Sequence, residues 1–128
     1  MYIIGQEEVD AVQRVIESQQ LFRYRGGEGG ESETFEQEWA AKIGTEHAVA
    51  VTSGTAALIL GLVGMGVGPG DEVIVPAYTF MATALAPLAV GAVPVLAEVD
   101  ESLTIDPKDV EAKITPRTKV ILPVHMVG

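Results

Sequence analysis

Val51-Thr52-Ser53-Gly54-Thr55-Ala56-Ala57-Leu58 is the stretch whose reading decides the fold of this chain. A short β-rich run, His47 to Val51, leads into a small hydroxyl-bearing turn. An apolar helix from Ala56 to about Val63 follows at once. Backbone amides at a helix start have no partner within the helix, and the helix dipole favours an anion there by about 0.3–2 kcal/mol. With the hydroxyls of Ser53 and Thr55 and the bare backbone of Gly54, such a start forms a pocket for a phosphate. Serine and threonine are also ordinary helix caps and glycine an ordinary turn residue, so local spacing alone leaves both readings open.

Downstream, short apolar runs alternate with turn residues. Gly64 to Gly70 is a turn, Glu72 to Val75 a strand, and the next helix starts at Thr79 or Thr83 and closes at Gly91. The later start is favoured, because it puts Pro87 in the first turn, where proline costs less than deep inside a helix. Val93 to Val99 is a strand with Pro94 near its beginning. Asp106-Pro107 opens a helix, Asp106 capping free amides and Pro107 standing where a missing N–H costs nothing. That helix ends near Ile114, and Lys119 to Val124 is the last strand. Four strands separated by helices predict an α/β fold, a three-layer α/β/α arrangement with a mainly parallel sheet joined by right-handed crossovers.

Upstream, residues 1–45 form a helical segment ahead of the βαβ units of residues 46–128. Val9, Val12, Val15 and Ile16 share one face of a helix from Gln6 to about Gln20. The glycine-rich, charged stretch Arg23 to Glu33 is a loop. A second helix covers Thr34 to Ile43, with Thr34 and Gln37 resembling a capping box and Gly44 as its stop. The chain ends as a strand finishes, where site residues collect in open α/β sheets, so the 128 residues are expected to be the amino-terminal portion of something longer.

Composition removes several functions. Acidic residues outnumber basic ones 18 to 8, for a net charge of −10, which disfavours nucleic acids and anionic membranes. Cysteine is absent, which excludes disulfides, thiolate metal sites and cysteine nucleophiles and fits a cytoplasmic setting. The long uncharged region is broken by prolines and glycines into pieces too short to span a bilayer. Gly64-Met65-Gly66-Val67-Gly68-Pro69-Gly70 follows a helix and precedes a strand, the reverse of a dinucleotide loop, and no P-loop motif is present. Tyr78 and Phe80, just after a strand, can lie on a flat heteroaromatic ring or pack in a core. His125, at the end of the last strand, is a further candidate with a structural alternative, and His47 reads as structural.

The ordered set Phe35-Glu36, Trp39-Ala40, Val51 to Leu58, Gly68 to Pro76, Thr79 to Thr83, Ile105-Asp106-Pro107 and Pro123-Val124-His125 resembles the DegT/StrS-type aminotransferases, pyridoxal-phosphate enzymes of fold type I. The resemblance runs from about Ile3 to Gly128 and implies the amino-terminal part of the large domain. It implies pyridoxal 5'-phosphate as cofactor, its phosphate held by Ser53, Gly54, Thr55 and the amide of Ala56, and its ring stacked on Phe80. The Schiff-base lysine and the aspartate on the pyridine nitrogen are implied to lie downstream. Lys42, Lys108, Lys113 and Lys119 match no such lysine, so the 128 residues alone are expected to be inactive. The implied activity is amino transfer from glutamate or glutamine to a keto-sugar, nucleotide-linked, or to a cyclitol ketone, in a homodimer or larger homo-oligomer. The alternatives are a sugar dehydratase of the same family and a non-catalytic regulatory or binding relative.

Overall fold

Glu72-Val73-Ile74-Val75-Pro76, uncharged after its first residue, forms the strand on which the larger part of the molecule is assembled. The computed structural model describes residues 4–22 and 30–126. Its elements in chain order are α1 (Gln6–Ser18), α2 (Glu31–Ile43), α3 (Gly54–Gly64), β1 (Glu72–Pro76), α4 (Ala82–Ala89), β2 (Val93–Ala97), α5 (Pro107–Lys113) and β3 (Thr118–Ile121). They fall into two compact units, residues 1–50 and 51–128.

In the second unit the three strands are parallel in the order β2-β1-β3, with Ile74 opposite Val95 on one side and Ile121 on the other. β1 is buried along its whole length. Side chains alternate across a strand, so Val73 and Val75 pack with Leu62 of α3 and Ala86 of α4, while Ile74 packs with Ala97 and Val110 of α5. Helices therefore cover both faces, which is the α/β arrangement the alternating runs predict. The layout follows from the strand order. The chain passes from β1 out to β2 through α4 and returns past β1 to β3 through α5. Two crossovers of one hand travelling in opposite directions place their helices on opposite faces. Pro94 is accommodated in β2, at an edge of the described sheet. Gly91 takes the left-handed conformation (φ 80°) between α4 and β2, where a Cβ would sit 3.0 Å from Pro69 Cγ.

Asp106 caps α5 as expected, accepting from the Lys108 amide at 2.9 Å. Other elements differ from the sequence reading. His47 to Val51 forms no strand, because no described strand runs beside it; the Ala50 amide donates instead to the Glu36 carboxylate at 2.6 Å. Within the first unit α2 starts at Glu31, not Thr34. Gly30 is its N-cap, its carbonyl accepting from Glu33 and Thr34, and two glutamates occupy the first turn, where the dipole favours them. Residues 23–29 of the predicted loop lie outside the described residues. Gly44 ends α2 at φ 79°, as a C-terminal glycine should. The predicted apolar face of α1 exists, yet Val9, Val12 and Ile16 stay more than half exposed.

α4 begins at Ala82 rather than Thr83, which moves Pro87 into the second turn. Proline has no amide to give the Thr83 carbonyl, and the helix stops two residues later. The Pro87 carbonyl then accepts from the amides of Val90 and Ala92, at 3.2 and 2.9 Å, and closes the end. β2 and β3 finish at Ala97 and Ile121, earlier than predicted.

The amino end of the sheet is fastened by polar contacts. Glu72, 5% exposed, accepts from the Thr115 hydroxyl at 2.6 Å and from Arg117 Nε at 2.9 Å, and its own amide donates to the Arg117 carbonyl. Lys119 Nζ donates to the Gly66 carbonyl and to Asp71. The Thr115 hydroxyl, followed by Arg117, holds the Glu72 carboxyl below its ordinary value of 4.5. A lowered native pKa contributes stability above the unfolded-state pKa that is lost as pH falls through the native one. Glu72→Gln is therefore expected to be less stable than wild type at pH 7 and to lose less stability on acidification below about pH 4.5. Urea midpoints measured across that range check both statements; parallel pH profiles would contradict them.

Candidate functional site

α3 begins with Ser53 in extended conformation as N-cap, its Oγ accepting from the Ala56 amide at 3.1 Å. The Ser53 carbonyl takes the Ala57 amide at 3.0 Å. That leaves the amides of Gly54 and Thr55 with no acceptor among the described residues. The Ser53 hydroxyl proton and the Thr55 hydroxyl are likewise uncommitted there. Residues 52–55 are exposed. These are donors without a protein acceptor at the positive end of a helix, a set that fits an oxyanion such as phosphate. Ala56 differs from its neighbours: its amide is already held by Ser53 Oγ.

Gly54 adds a second observation. Its φ lies outside the left-handed region, and a Cβ built on it meets nothing within 4 Å. Neither backbone conformation nor protein packing requires glycine at this point. What its missing side chain leaves is open space at the start of the helix.

The end of the sheet at which this helix start lies follows from the connections. The turn after α3 is tied by the Gly66–Lys119 contact to the first residues of β1 and β3, the amino end. α3 has 11 residues and rises about 16 Å, close to the roughly 17 Å covered by the 5-residue β1. Its first turn therefore lies toward the carboxyl end. The segment Ala77 to Phe80 leaves β1 at that same end, and α4 packs beside α3 on the same face. Ligands of open α/β sheets sit there.

Phe80 is 69% exposed and Tyr78 47% exposed, so neither is the core residue that packing alone would make it. His125 lies past the end of β3 and is exposed. His47 belongs to the first unit, exposed beside Glu46. Of the lysines, Lys119 sits at the amino end bonded to Asp71, Lys113 pairs with Asp109 on α5, Lys108 opens α5 and Lys42 is in the last turn of α2. A contact the sequence reading passed over is the 2.7 Å hydrogen bond between the hydroxyls of Thr79 and Thr83. Two threonines four apart at a helix start are the available signal, which the sequence reading uses only to place that start. Among the described residues no cluster of His, Cys, Asp or Glu suits a metal ion, and no helix is long and apolar enough to cross a membrane.

Comparison with known proteins identifies relatives of the chain. The chain is 50% identical over 119 residues to dTDP-3-amino-3,4,6-trideoxy-alpha-D-glucose transaminase of Streptomyces venezuelae, covering 92% of this chain and 30% of that one. Its structure superposes on that of 3-amino-5-hydroxybenzoic acid synthase with a TM-score of 0.91 at 48% identity, over 98% of this chain and 32% of the other. NtdA of Bacillus subtilis, solved with bound cofactor PMP, gives 0.83 at 38% identity, over 97% and 28%. The chain thus spans about a third or less of the length of the relatives it matches. The family model itself fits residues 2–128, a span that includes the α3 start and the Phe80 segment. On that fit, the chain belongs to the DegT/DnrJ/EryC1/StrS aminotransferase family.

Proposed function

We propose that this chain forms the phosphate-holding part of a pyridoxal-phosphate-dependent aminotransferase that moves an amino group from glutamate or glutamine to a keto-sugar, nucleotide-linked, or to a cyclitol ketone. The observation that carries the reading is the pair of unpaired amides, Gly54 and Thr55, opening α3 at the sheet's carboxyl end. Family membership supports the cofactor, and the NtdA structure with PMP supports it further. The sugar acceptor is supported by the similarity to the Streptomyces venezuelae transaminase.

In this reading the amides of Gly54 and Thr55 and the hydroxyls of Ser53 and Thr55 hold the phosphate. The Ala56 amide serves indirectly, fixing the Ser53 side chain through the cap bond. Phe80 offers a flat apolar surface to the ring, a contact worth about 0.5–1.5 kcal/mol beyond its burial. When bound, the cofactor supplies the electron sink for amino-group chemistry. This chain's part is to anchor and orient it; the lysine and the aspartate that complete such a site are assigned to residues outside 1–128. The same reading makes the working unit a cytoplasmic homodimer or larger homo-oligomer. The exposed apolar residues Leu60, Val63 and Met65 on and after α3 support assembly.

The direct test is titration of the protein, as its gene encodes it, with pyridoxal phosphate, followed by addition of glutamate and a nucleotide-linked keto-sugar. Visible absorbance that responds to the amino donor, with an aminated sugar as product, is expected. Absence of any cofactor absorbance would refute the proposal.

Two substitutions separate the fold from the site. Ser53→Ala removes the cap of α3 and is expected to cost about 0.5–2 kcal/mol in urea unfolding, with weaker cofactor binding. Gly54→Ala has room and an ordinary φ, so it is expected to stabilise the fold by about 0.4–1 kcal/mol. The same change fills the open space at the start of the helix and is expected to weaken pyridoxal-phosphate binding about 10- to 100-fold, the equivalent of one lost hydrogen bond to a charged group. A stabilised Gly54→Ala protein with unchanged affinity would show that the glycine is not reserved for the ligand.

A further inference from the structure

The segment that carries Phe80 has almost nothing holding its aromatic ring. The Phe80 side chain is 69% exposed and makes no ring contact with another aromatic among the described residues. An unpacked phenylalanine samples several rotamers. Whatever aims it must act through the turn that carries it, and three hydrogen bonds fix that turn. The Ala77 amide donates to the Ala97 carbonyl at 2.7 Å, extending the β1–β2 pairing beyond the strand. The Thr83 amide donates to the Phe80 carbonyl at 3.0 Å. The Thr79 and Thr83 hydroxyls bond to each other at 2.7 Å. Two of the three involve Thr83, which is 4% exposed and lies in the first turn of α4 between Ala82 and the buried Ala86 and Pro87.

We infer that Thr83 is a positioning residue for Phe80. Its hydroxyl latches Thr79 and its amide holds the Phe80 carbonyl, so that the turn 77–80 is clamped on both sides of the aromatic. The inference rests on the proposed function for what Phe80 touches, but the latch itself is a property of this chain. The chemistry fits the placement. A buried hydroxyl must find a partner or lose stability, and in Thr83 that partner is the residue immediately before the aromatic. α4 is anchored in the core by Ala86 and Pro87, so the latch connects an exposed turn to one of the more rigid parts of the unit. Pro87 also removes the amide that would pair with the Thr83 carbonyl, so Thr83 belongs to the turn as much as to the helix.

The test uses Thr83→Val, which keeps the shape and removes the hydroxyl, Thr83→Ser, which restores it, and Phe80→Ala, alone and combined with Thr83→Val. Two readouts are taken on the protein as its gene encodes it. The first is amide hydrogen exchange of the 77–81 segment without cofactor. Thr83→Val is expected to raise exchange there about 3- to 10-fold, the worth of one hydrogen bond, with Thr83→Ser near wild type. The second is pyridoxal-phosphate affinity. Thr83→Val is expected to weaken it by a similar factor, but to have little further effect once Phe80 is alanine, because the two act as one unit. Unchanged exchange, or equal losses of affinity with and without the Phe80 ring, would overturn the inference. If the wild type binds no pyridoxal phosphate, the functional reading fails and with it the role of Phe80; the exchange comparison still decides whether the latch exists. A general loss of folding in Thr83→Val is recognised by exchange rising across β1 and β2 as well, and would assign Thr83 to the core instead.

Discussion

A helix cannot satisfy its own first amides, and most helices in proteins hide that deficit with caps or water. In α3 the deficit is only half covered. Ser53 takes the Ala56 amide, while the amides of Gly54 and Thr55 have no acceptor among the described residues, and nothing lies within 4 Å of where a Cβ on Gly54 would be. The rest of the second unit can be understood as the support that brings this helix start to the carboxyl end of a parallel sheet.

That support is chemically divided. The amino end is rich in polar fastening, with Glu72 set among Thr115 and Arg117 and Lys119 spanning to Gly66 and Asp71. The middle is dry and tightly packed around Val73, Ile74 and Val75. The carboxyl end carries exposed hydroxyls, free amides and an unpacked aromatic. Rigid anchoring at one end and uncommitted groups at the other is the arrangement expected where function occupies short connections on a stable scaffold. It also explains why a glycine that the fold does not need sits at a helix start, where alanine would serve stability better.

Much of this is legible in the sequence. Strands β1, β2 and β3 announce themselves through short apolar runs between turns, and Asp106-Pro107 marks α5 because both residues have one mechanism at a helix start. Ser53 is legible as a cap for the same reason. The failures have physical causes. His47 to Val51 has strand composition, but a strand exists only beside a partner, and no described segment supplies one. Thr34 with Gln37 looks like a capping box, yet Gly30 is followed by glutamates that suit the first turn, and a backbone carbonyl acceptor leaves no side-chain signature. The sequence reading puts Pro87 one turn too early because the start of α4 is set by the Met81 and Phe80 carbonyls, which sequence does not reveal. The Thr79–Thr83 pair needed the exact path of a turn to become visible. The resemblance to a known family carried what composition could not, the identity of the ring and of its phosphate.

The measurement that bears most directly on the account is the response of individual backbone amides to the phosphate group. In isotope-labelled protein, pyridoxal phosphate should shift the Gly54 and Thr55 amide resonances, and pyridoxal, which has the ring but no phosphate, should leave them in place. If both compounds perturb these amides alike, or if pyridoxal phosphate binds while Gly54 and Thr55 remain unmoved, the first turn of α3 does not hold the anion and the account is wrong.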